Sequence, residues 1–106
     1  MKHTERDPLP DTPRNIRLDA GLKLRQVAEL MDAPISSVGR IERGRVNPTA
    51  ASLGKFYAAC GRADLMRLFW PVVGDRHRAD MTMISVRYQK RFGPDSPHGL
   101  ARAGKG

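Results

Sequence analysis

Residues 21–44 read "GLKLRQVAELMDAPISSVGRIERG", and the fold turns on how this stretch divides. Leu24, Val27, Ala28 and Met31 recur at i, i+3, i+4 and i+7, the spacing of one helical face. Arg25, Gln26 and Glu29 fall on the other face. Pro34 forbids continuation and biases Ala33 away from helical geometry, so Asp32-Ala33-Pro34 is a break. Ile35, Val38 and Ile41 then mark one side of a second short helix, which leaves Ser36, Ser37, Gly39 and Arg40 outside, and Gly44 stops it. Near its end Glu42 is a lone carboxylate among Arg40, Arg43 and Arg45. Two readings are open there: an ion pair internal to the fold, or an ordinary solvated charge run.

Working outward, the flanks carry the same helical grammar. Thr12-Pro13 supplies an N-cap and a first helical residue, Ile16 and Leu18 are apolar anchors, and Gly21 provides the left-handed end. After the loop Arg45-Val46-Asn47-Pro48, Thr49 caps a helix with the stripe Ser52, Leu53, Phe56, Tyr57 and Cys60, and Gly61 ends it. "RADLMRLFWPVV" reads as a fifth short helix, with Leu65, Leu68 and Phe69 inward, Phe69-Trp70 as a lid on the core, and Pro71 as the break. The expectation is a compact all-α domain of five helices over residues 13–74.

Residues 1–12 are polar and proline-broken, and read as a flexible arm. Residues 75–92 read as a C-terminal extension. Within it "MTMISVRYQKRF" (81–92) alternates Thr82, Ile84, Val86 and Tyr88 against Met83, Ser85 and Arg87, so an extended strand is preferred over a helix. A lone strand must pair, and a twin from a second subunit is the economical partner. The glycine- and proline-rich residues 93–106 read as a disordered tail.

A chain of 106 residues has room for one modest core. Its net charge of +8 points to a polyanionic partner. The excess is divided between residues 14–45, which carry +3, and residues 61–106, which carry +5. The single cysteine, Cys60, excludes an internal disulfide framework and a multi-cysteine zinc site, and is expected as a buried small hydrophobe. No apolar run suits a membrane span and the N-terminus does not resemble a signal peptide, so the cytoplasm is the expected location. His77 with Asp80 offers two ligands, too few for a metal, and His77 is expected in a surface loop. Ser36 and Ser37 lack a local His or Lys to activate them, and no glycine-rich phosphate loop is present. No catalytic, cofactor or metal site is therefore expected.

What remains is two short helices joined by a tight turn, the second exposing small polar residues beside arginines. Such a pair can brace one helix across a nucleic-acid backbone while the other enters the major groove. Residues 16–61 resemble the lambda-repressor-like, or Xre, helix-turn-helix family over 46 of 106 residues. The resemblance rests on Arg17 of "IRLDAGL", the Leu24-x-x-Val27-Ala28 core, "RIERG" at 40–44, and Asn47-Pro48 opening the next helix.

This resemblance implies a structural ion pair between Glu42 and Arg17, locking the first helix to the third. It implies contacts to base edges from Ile35, Ser36, Ser37, Gly39 and Arg40, and contacts to the DNA backbone from Lys23, Arg25, Arg43, Arg45 and Asn47. Arg40 is the strongest reader, because a guanidinium grips guanine O6 and N7 together. The chain departs from the family at Leu24, where a backbone-touching Gln is usual. It departs also at Asp32 in place of the turn glycine, at Pro34 in place of a capping Ser or Thr, and at Gly39 within the reading helix. These departures read as altered specificity. The function implied is a sequence-specific, DNA-binding transcriptional regulator of a bacterium or phage, a nucleoid-associated repressor acting as a homodimer. The alternative is an antitoxin or helical interaction module that binds a protein partner through its C-terminal segment.

Overall fold

The computed structural model describes residues 12–43 and 48–93. Its helices are α1 (Pro13–Asp19), α2 (Leu24–Met31), α3 (Ile35–Arg43), α4 (Ala50–Ala59), α5 (Ala63–Phe69) and α6 (Asp75–Phe92), with a 3₁₀ turn at Trp70–Val72. Thr12 Oγ1 accepts the Asn15 amide at 3.3 Å, and Thr49 Oγ1 accepts that of Ser52 at 3.0 Å, so both hydroxyls cap helix starts. Gly21 and Gly61 each have φ of 75°, the left-handed geometry that lets the chain turn away after α1 and α4. Asp32 takes the same role after α2 with φ of 56°, a conformation whose cost a short polar side chain lowers. The expectations for residues 1–11, 44–47 and 94–106 lie outside the described residues.

Helix α4 is the axis of the molecule. Phe56, Tyr57, Ala58, Ala59 and Cys60 are all buried, and the other helices wrap around them. Ala28 is buried where α2 must approach α3, and Val27, Val38 and Ile41 complete that side of the core. Tyr57 stacks on Phe69 with ring centroids 5.9 Å apart, and Phe69 and Trp70 pack on the core edge.

Three sequence expectations are corrected by packing. Residues 81–92 form no strand. They are the C-terminal part of the 18-residue helix α6, which buries Met81, Ile84 and Tyr88. Those three follow helical spacing, and the groove they fill outweighs the β-preference of Thr82 and Val86. Met81 seats where Gly54 leaves space; a Cβ there would stand 2.3 Å from the methionine methyl. Leu68 is not inward but 69% exposed, and Met66 takes the buried position on α5. His77 lies on α6 and not in a loop; its Nδ1 is buried with no hydrogen-bond partner.

Candidate nucleic-acid interface

Helix α3 has two faces with opposite tasks. Inward, Val38 and Ile41 join the core and Glu42 is buried. Outward, Ser36, Ser37 and Arg40 are exposed, and Ile35 is 47% exposed despite its apolar spacing with Val38. Arg40 precedes Glu42 by two residues, roughly 200° around the helix, so locking Glu42 inward turns Arg40 outward.

The lock is a cluster of charges. Arg17 donates from Nε to one Glu42 oxygen and from a terminal nitrogen to the other at 3.2 Å. Its second terminal nitrogen donates to the Leu22 carbonyl at 2.8 Å, tying the α1–α2 link into the same unit. Arg14 adds a longer contact at 3.5 Å. The Glu42 side chain retains 2% of its exposure, so its charge is carried by these guanidinium groups and not by water. The solvated-charge reading of Glu42 fails on this geometry. Arg14 went unnoticed in the sequence, although it lies three residues before Arg17 on one helical face.

Four of the expected site residues line two recesses. Arg25 and Ile35 line one of about 450 Å³ between α2 and the start of α3, floored by Ala28 and Ala33. Ser37 and Arg40 line another of about 430 Å³ with Thr49, Ser52 and Lys55 of the α4 region. That second group was not anticipated. Its sequence signal was Lys55, the one charge in "ASLGKFYAAC", which pairs with Asp80 of α6 at 3.4 Å. The capped N-terminus of α4 opens onto this recess, and a helix start attracts anions through its dipole and amides. Lys23 is exposed at the start of α2, where its amide donates to Gln26 Oε1 at 2.7 Å.

Gly39 departs from expectation. It is buried, not outside, because the Arg43 guanidinium folds back over it, within 2.9 Å of where a Cβ would stand. Arg45 and Asn47 lie outside the described residues. Among the described residues, no helix is long and apolar enough to cross a membrane.

Comparison with known proteins agrees with the architecture. The family model for the helix-turn-helix domain matches residues 14–69, from α1 to the end of α5 and more than half of the chain. No curated protein and no solved structure matches the chain. With α2 and α3 joined through the Asp32 turn inside the matched span, the chain belongs to the helix-turn-helix domain family.

Proposed function

We propose that the protein is a sequence-specific, DNA-binding transcriptional regulator that represses as a homodimer on a two-fold operator at the nucleoid. The observation that carries this reading is the outward face of α3, where Ile35, Ser36, Ser37 and Arg40 stand clear of the core while Glu42 is held beneath them. Arg40 reads a guanine edge, Ile35 meets a thymine methyl, and the serines bond to bases or phosphates. Gly39 lies beneath the Arg43 guanidinium, and its backbone meets a base edge once that side chain turns aside to a phosphate. Lys23, Arg25, Arg43, Arg45 and Asn47 position the helix on the backbone, joined by the α4 start and Lys55. One helix covers few base pairs, so two copies about 34 Å apart reach successive major-groove faces, and occupancy excludes polymerase.

Selection of bound genomic fragments, followed by titration against salt, tests the reading. A preferred site should persist while affinity falls steeply as salt rises. Arg40→Ala should relax preference at one base pair, with a loss of roughly 1–3 kcal/mol there, whereas Arg25→Ala should weaken all sequences alike. Identical behaviour of the two variants would refute the placement of α3 in the groove.

A further inference from the structure

We infer that the outer face of α6 is a self-complementary seam, on which a second copy of this chain packs its own α6 antiparallel. The inference deepens the homodimer reading by naming its surface, and it rests on three observations. First, α6 buries one side in the core and leaves an apolar stripe opposite: Ala79, Met83 and Val86 are all exposed, the latter two at 51% and 43%. Their spacing of four and three residues puts them along one line of the helix. Second, the stripe is symmetric. A two-fold axis lying in the interface, level with the midpoint of Thr82 and Met83, sets Ala79 against Val86 of the copy and Thr82 against Met83. A two-fold interface requires such reciprocity, with each residue's partner finding it in return. The small Ala79 opposite Val86 lets the axes come close.

Third, the ends of the stripe are complementary in charge. The same register sets Asp75, at the start of α6, beside Lys90 of the copy; both are exposed, and the contact from Arg78 of its own helix, at 3.5 Å, leaves the Asp75 carboxylate open to a second cation. A parallel pairing would instead put Asp75 against Asp75 and Lys90 against Lys90. One helix face gives an interface toward the ~1,200 Å² lower end of stable associations, so the pair dissociates on dilution.

Sedimentation equilibrium of the full chain without DNA, over a range of concentrations, tests the seam. A reversible monomer–dimer equilibrium is expected, weakened at least tenfold by Met83→Glu and unchanged by Leu68→Glu, a control at an exposed apolar residue of α5. Asp75→Lys and Lys90→Glu should each weaken the dimer several-fold, and together restore it. The restoration cannot come from the monomer, because both changes oppose the α6 dipole and lower helix stability additively. Overturning results are a monomer at every concentration, a dimer indifferent to Met83→Glu, or a double charge variant no tighter than the single ones. A chain monomeric in solution that pairs only on its operator would sink the seam and leave the regulator reading intact. Loss of all site preference would do the reverse.

Discussion

Glu42 and Met81 are both buried, one in each half of the molecule, and their surroundings differ in kind. Glu42, on α3, is met by the guanidinium groups of Arg17 and Arg14. Met81, on α6, is met by the bare backbone of Gly54. Apolar packing is non-directional and scales with area, so Met81 adds to the holding energy of the α4–α6 half without selecting an angle. A charged hydrogen-bond cluster contributes less net energy, because both partners leave water, but it works at one geometry only. The α1–α3 half uses that directionality to fix the angle at which Ser36 and Arg40 face outward.

The contrast can be broken by substitutions, and the largest effect belongs to the packed half. Phe56→Ala removes a fully buried ring from α4 and should cost ~3–5 kcal/mol, read as a lower denaturation midpoint with unchanged slope. Glu42→Ala comes next at roughly 3 kcal/mol, since it strands buried guanidinium charge. Its loss of DNA site preference should exceed that of a Phe56 variant matched for fraction folded; equal losses would remove the orienting role.

Gly39→Ala should act in the other direction, adding up to ~1 kcal/mol through helix propensity. The new methyl meets only the far end of Arg43, which can swing away. A destabilised variant would show that the Arg43 cover is part of the fold. The smallest effect is in acid. The bidentate hydrogen bonds from Arg62 to Asp64, at 2.9 and 2.8 Å, hold that carboxyl below its ordinary value. A lowered value means stability that is present above the usual carboxylate pKa, about 4, and lost as pH falls through the folded one. The pair is exposed, so less than ~1 kcal/mol is at stake. Asp64→Asn should melt slightly below the parent near neutral pH, and the gap should close in strong acid.

The sequence was legible where local chemistry decides. Thr12 and Thr49 announce helix starts, Gly21 and Gly61 announce ends, and the Leu24–Met31 period admits one helix only. It was misleading where distant packing decides. In residues 81–92 the helical spacing of Met81, Ile84 and Tyr88 and the alternation of Thr82, Ile84 and Val86 coexist, and the gap at Gly54 selects the first. On α5, Leu65, Met66, Leu68 and Phe69 are all apolar, so periodicity could not tell which would face out. At the site, the exposure of Ser36 and Arg40 followed from period alone. The cover over Gly39 depends on a rotamer of Arg43, and the grouping of Lys55 with Arg40 depends on how α4 crosses α3. Neither leaves a local signature.

Arg87 donates to the Leu30 carbonyl at 2.8 Å, and Arg91 reaches Glu29 at 3.1 Å, so α6 is fastened to the first arm of the helix-turn-helix pair. Leu30 and Arg87 are 57 residues apart in the chain. During synthesis α2 and α3 therefore leave the ribosome well before the segment that closes over them. Until Met81, Ile84 and Tyr88 emerge, the flank of α4 is open to water and to other nascent chains, and the bundle of α1 to α5 closes only once α6 can reach it.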